Sequence, residues 1–246
     1  MLAAAVPRPA DVALNWLRLC GILALVLGGL ASFFYFSREA HPAELSPMLR
    51  NVQMGLLVSS IVLVLGQLAV VQLALRRTQR VIAAGAFVAC VLTGTNLLHE
   101  MMIPYGVAER YPPKLLSMAL QTLAAAGVAG MSGLVLMDML LGHAYLTASK
   151  MTMAPFRRLN LWVAGTLAAR VVLTAVATAL MTRQIWLADG LFILTRWLVG
   201  LLVPAVFIYM AHDCIKRRAT QSATGILYVA GVLIFIGEIV ALYLVR

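Results

Sequence analysis

The sequence predicts an all-α fold: a polytopic bundle of seven transmembrane helices, treated as one integral membrane domain over residues 1–246. Three observations carry that expectation. The 246 residues are 63% hydrophobic and 11% charged, with mean hydropathy +0.95, outside the range of soluble domains. Seven apolar runs each approach the roughly 20 residues a helix needs to cross about 30 Å of hydrocarbon. The basic residues between the runs fall mainly on alternate connections.

In order, the expected spans are Ala13 to Phe36, Met54 to Leu75, Val81 to Leu98, Leu115 to Leu146, Leu159 to Met181, Gly190 to Met210 and Gly225 to Leu244. The first run is long, and Ser37 onward lacks a small-residue cleavage pattern, which predicts that this span is retained. Phe33, Phe34, Tyr35 and Phe36 close it as an interfacial anchor, as Tyr145, Phe156 and Trp162 do around a later connection. The fourth run is long enough to tilt or protrude. Its Ala125, Ala126, Gly127, Ala129, Gly130 and Gly133 present small residues at three- and four-residue spacing, which suits close helix approach at the centre of a bundle. There is no internal repeat, and seven spans do not divide into equal inverted halves.

Orientation follows from Lys and Arg. Arg8 and Arg18 near the N-terminus, Arg76, Arg77 and Arg80 after the second span, Lys150, Arg157 and Arg158 after the fourth, and Lys216, Arg217 and Arg218 after the sixth share one side. Fewer, namely Arg38, Arg50, Arg110, Lys114, Arg183 and Arg246, lie on the other. The positive-inside rule places the N-terminus in the cytoplasm and the C-terminus outside, in a bacterial cytoplasmic (inner) membrane. The formal charge of +10 is spent on these flanking clusters beside the lipid bilayer, which argues against nucleic acid as a partner. Cys20, Cys90 and Cys214 form no CxxC pattern and read as packing residues. Two outer connections, residues 37–53 and 99–114, are long enough to form a lid or a docking surface.

Ionisable groups within the spans carry the chemistry, because each costs roughly 2.5 to 3.5 kcal/mol on insertion scales. Arg196 and Glu238 lie at matched depth on consecutive antiparallel spans, about 9 Å inside by the helical rise, which predicts an ion pair. Gln121, His99 and Glu100 fall near that level, and Arg170 sits close to the middle of its span. Converging, these six residues would build an outer pocket suited to a polar head such as a quinone or quinol, with His99 or Glu100 taking the released proton. Two plainer readings stand beside this one: Arg196 and Glu238 as a structural clamp, and His99 and Glu100 as boundary markers. Asp138 reads as a proton-path carboxylate or as a partner for a hydroxyl or histidine on a neighbouring helix. His143 and His212, at similar depth on separate spans, are the minimum for bis-histidine haem b ligation, while His212, beside Asp213 and the Lys216 cluster, also reads as cytoplasmic surface. His99, Met101 and Met102 form a small soft-ligand group for copper. No HExxH, GxSxG or Walker motif is present, so proteolysis, acyl transfer and nucleotide hydrolysis lack their residues.

The last span, with Gly237, Glu238, Tyr243 and Leu244 following Thr220 to Gly225, resembles the closing helix of quinol-oxidising membrane anchor subunits of the dimethyl-sulfoxide-reductase type. That resemblance implies a quinol site near the outer face, Glu238 within it, and electrons passed to an iron–sulfur or cytochrome partner subunit. Function therefore divides three ways: a quinone-binding subunit of a respiratory complex, a small proton-coupled transporter or channel in which Arg170 and Arg196 meet an anionic substrate, or a scaffold without a site.

Overall fold

The computed structural model describes residues 14–37, 47–73, 76–102, 114–147, 152–180 and 187–245. Among them every element is helical: α1 (Leu14–Ser37), α2 (Pro47–Gln72), α3 (Arg76–Met102), α4 (Lys114–Thr147), α5 (Ala154–Leu180), α6 (Leu187–Trp197), a π-helical turn (Leu198–Leu202), α7 (Val203–Lys216) and α8 (Thr220–Val245). Six stretches are long and apolar enough to cross a bilayer: Asn51–Gln72, Thr78–Thr95, Thr122–Leu146, Ala154–Ala179, Gly190–Lys216 and Thr220–Ala241. In α1 the apolar stretch Asn15–Leu30 is shorter. The chain is thus a multi-pass membrane helix protein with six to seven spans.

Helices run further than apolarity alone predicts. Arg76, Arg77 and Arg80 open α3 and Arg157 and Arg158 lie in the first turns of α5, where the sequence reading put them in connections. Backbone hydrogen bonding propagates a helix beyond its apolar run, and long basic side chains reach the headgroup level from its ends.

The chain forms two compact units, residues 1–125 and 126–246, whose boundary falls within α4. In the first, α1 packs on α2 and α2 on α3. The buried face of α2 runs Gln53, Leu57, Val64, Gln67 and Val71, a spacing of threes, fours and their sums that marks one side of a helix. Gln53 and Gln67 are fully buried, and their amides have no hydrogen-bond partner among the described residues.

The second unit follows the same rhythm. Its buried seams are Met131, Leu134, Asp138, Leu141 and Tyr145 on α4; Phe156, Asn160, Val163, Leu167 and Arg170 on α5; Ile208, Ala211 and Ile215 on α7; and Ala223, Leu227, Ala230, Ile234 and Glu238 on α8. α8 packs against α6, the π turn and α7, and α5 packs against α7. The opposite faces are apolar yet exposed, as at Val172, Leu191, Val206 and Ile239. Water would not tolerate so continuous an apolar surface, and lipid requires it. Stacked Tyr145 and Phe156 rings, with centroids 5.2 Å apart, pin the end of α4 to the start of α5, and the Tyr145 hydroxyl donates to the Thr152 carbonyl. Between α7 and α8 the chain turns through Arg218 at φ 60, with its N–H bonded to the Ile215 carbonyl, a left-handed residue closing a helix end.

Candidate functional site

Polar residues on the seams of the second unit gather into two layers. Arg170 and Asn160 are ten residues apart on α5, so the layers are separated by about 15 Å of helical rise. Between them lie Leu134, Val163, Leu167, Leu201, Ala230 and Ile234, all at most 4% exposed.

The first layer joins three helices. Arg170 of α5 grips Glu238 of α8 through both carboxylate oxygens: Nε donates to Oε1 at 3.1 Å and Nη2 donates to Oε2. Arg196 of α6 donates from Nη2 to Oε1 at 3.2 Å. The expected Arg196 to Glu238 pair is present, and Arg170, placed by the sequence in the same pocket, contributes the two-pronged contact that planar guanidinium and carboxylate favour. All three residues are at most 5% exposed. Two cations against one anion leave a formal +1, and Arg196 Nε and Nη1 are buried without an acceptor among the described residues.

Glycines make the room. A Cβ on Gly200 would stand 2.6 Å from the Cα of Gly237, and one on Gly237 would stand 2.2 Å from the Cα of Gly200, so α8 and the π turn meet backbone to backbone. Arg196 Nη1 lies beside that crossing, 3.2 Å and 3.3 Å from the two Cβ positions. On α4, a Cβ at Gly127 would sit 2.6 Å from Arg170 Cδ and 2.9 Å from Nη1, so only glycine leaves this side chain its path. The small residues of α4 thus serve different ends: Gly127 yields to an arginine, Gly142 to Thr224 Oγ1 and Phe156, and Gly133 has nothing within 4 Å.

The π turn sets the direction of Arg196. Downstream, the buried positions run Leu201, Pro204, Ile208, Ala211 and Ile215. Continued backwards in that rhythm, they reach Trp197 and Leu194, yet Leu194 is 58% exposed and Arg196 is 1% exposed. One extra residue in the turn advances the helix phase by about 100° and brings Arg196 to the interior. Its cause is local. Pro204 has no N–H to offer a carbonyl in the preceding turn, and the Val203 N–H bonds the Leu198 carbonyl five residues back.

The second layer also joins three helices. Asn160 of α5 donates from Nδ2 to Asp138 Oδ2 at 3.1 Å, and its Oδ1 lies 3.2 Å from His212 Nδ1 on α7. Asp138 is fully buried, and its Oδ1 has no partner among the described residues. Of the two histidines read as haem ligands, His143 is exposed on α4, and His212 is half-buried with Nδ1 engaged by Asn160.

The backbone at His99, Glu100 and Gln121 is helical, and their side chains lie outside the described residues. Sequence reasoning missed Asn160, although its place on the stripe Phe156, Asn160, Val163, Leu167, Arg170 is a readable signal. It also missed the π turn, for which Gly200 and Pro204 were the signs. Among the described residues no group of three or more His, Cys, Asp or Glu is arranged to hold a metal ion. No family model, curated protein or solved structure matches the chain.

Proposed function

We propose that this protein is a membrane transporter or channel for a monovalent anion, which binds at Arg196 in the second unit. The observation that carries the reading is the pairing of a buried formal charge of +1 with two Arg196 nitrogens, Nε and Nη1, that lack an acceptor among the described residues. An uncompensated buried charge is costly, and a single negative group at Arg196 would remove both the excess charge and the unmet donors. A quinone head offers carbonyl acceptors to the same N–H groups but carries no charge, so it answers only half of the arrangement. Access to Arg196 requires α6 to part from α8, and the π turn, whose Val203 N–H reaches back five residues to Leu198, is the adjacent place for that movement.

The test is thermal unfolding of the purified full-length protein in detergent. Chloride, nitrate, acetate, a long-chain carboxylate and a short-chain ubiquinone analogue are added in turn, followed by efflux of any stabilising anion from proteoliposomes. One of the anions is expected to raise the unfolding temperature of the wild type and not of Arg196→Gln, and to leave loaded vesicles only when the wild type is present. Stabilisation by the quinone alone would return the redox-subunit reading to first place. An anion response that persists in Arg196→Gln would remove this site from consideration.

A further inference from the structure

The second polar layer lies about 15 Å of helical rise from the Arg170 layer, and its chemistry points elsewhere. We propose that Asp138 is a reversible proton-binding site, and that the Asn160 amide reports its occupancy to His212 as a change in which imidazole nitrogen carries hydrogen. The proposal is independent of whether an anion binds at Arg196.

Asp138 is fully buried in a membrane-spanning helix, and no Lys or Arg pairs with it among the described residues. Its one partner there is a neutral amide, and Oδ1 has none. A carboxylate in this position bears the cost of an isolated charge among apolar side chains, and one added proton cancels that charge without any change of shape. Glu238, by contrast, accepts from Arg170 and Arg196 a layer away. Among the described residues, three groups face Asp138 and its partners. Asn160 approaches from α5, His212 from α7 beyond it, and Thr224 from α8 one turn along, its hydroxyl donating to the Thr220 carbonyl at 2.8 Å. The charges acting on His212 are Lys216, Arg157 and Asp213, at the end of the layer nearest the helix termini.

Asn160 makes the layer a reporter. With Nδ2 donating to an ionised Asp138, its Oδ1 faces His212 Nδ1, which must then be the nitrogen that carries hydrogen. When a hydronium proton adds to Asp138 Oδ2, releasing water, that oxygen becomes a donor. The amide then turns over about its own axis, Oδ1 accepts from the Asp138 hydroxyl, and Nδ2 donates to His212 Nδ1, so the imidazole hydrogen moves to Nε2 through exchange with water. The two arrangements use the same heavy-atom positions and differ only in which way each hydrogen bond runs.

The test is infrared difference spectroscopy of the full-length protein in lipid. Its aspartates, Asp11, Asp138, Asp189 and Asp213, carry 13C in the side chain, and 15N-histidine NMR is recorded on the same preparation. The expected result is a label-sensitive protonated-carboxyl band that disappears as pH rises, is lost in Asp138→Asn, and is accompanied by exchange of His212 between its two neutral forms. In Asn160→Leu the band persists and His212 no longer follows it. A label-sensitive band absent at every pH at which the protein is folded overturns proton binding. A band that follows added sodium and not pH overturns the identity of the ligand. Continued coupling in Asn160→Leu overturns the reporting role. The wild-type label experiment settles the first two points even if Asp138→Asn fails to fold.

Discussion

The two buried layers of the second unit solve one problem in opposite ways. Around Arg170, three formal charges share a space from which solvent is excluded, held by three hydrogen bonds and close-packed glycines. Around Asp138, one carboxyl is met by a neutral amide, and no Lys or Arg pairs with it among the described residues. The difference teaches which groups are committed. Charges that meet in a dry interior depend on the group they share, because removing the Glu238 carboxylate strands both guanidinium groups. A lone carboxyl beside an amide can be met in either form, accepting from the amide N–H when ionised and donating to the amide oxygen when protonated, and so can exchange a proton.

Glu238→Gln should break this contrast most severely, since it strands two buried guanidinium groups. A loss of about 3 to 5 kcal/mol in unfolding free energy is expected in detergent. Asp138→Asn, equally buried but facing a neutral amide and no basic partner among the described residues, should cost less than about 1 kcal/mol by the same assay, near the value of one net hydrogen bond. Equal losses at the two positions would mean that the layers do not differ as described.

Deletion of Val199 tests the phase argument. Removing the extra residue of the π turn rotates Arg196 by about 100° toward lipid, at a cost of roughly 2.5 to 3.5 kcal/mol for a charge in hydrocarbon. The same deletion combined with Arg196→Leu should recover most of that loss. At the helix crossing, Gly237→Ala places a methyl group against backbone and should cost about 1 to 3 kcal/mol. Gly133→Ala on α4 meets open space and should be neutral or stabilising by up to about 1 kcal/mol, since alanine is the better helix former.

Much of this was legible in the sequence. Apolar run length located the six stretches long enough to cross a bilayer and the shorter apolar stretch of α1, and matched depth on antiparallel helices found the Arg196 and Glu238 pair, because the helical rise converts residue number directly into height. What depth does not give is direction. Arg170 was placed near the right level and yet not joined to Glu238, since its facing depends on the seam of α5 and on the missing side chain of Gly127. The inward turn of Arg196 depends on one inserted residue before Pro204, and a regular 3.6-residue repeat counted through that point faces it sideways. Asn160 was overlooked for another reason. A single amide in an apolar run attracts less notice than a formal charge, although the seam it occupies carries Arg170 ten residues on.

Arg196 is where a structural clamp and a ligand site part company, and comparing the unfolding free energy of Arg196→Gln with the wild type, with and without the stabilising anion, tests the account most directly. With Arg170 and Glu238 already a neutral, two-pronged pair, losing Arg196 removes an excess charge. The variant is expected to unfold within about 1 kcal/mol of the wild type and to show no response to the anion. A loss of 3 kcal/mol or more, or an anion response equal to that of the wild type, would contradict the account and leave Arg196 as a brace between helices.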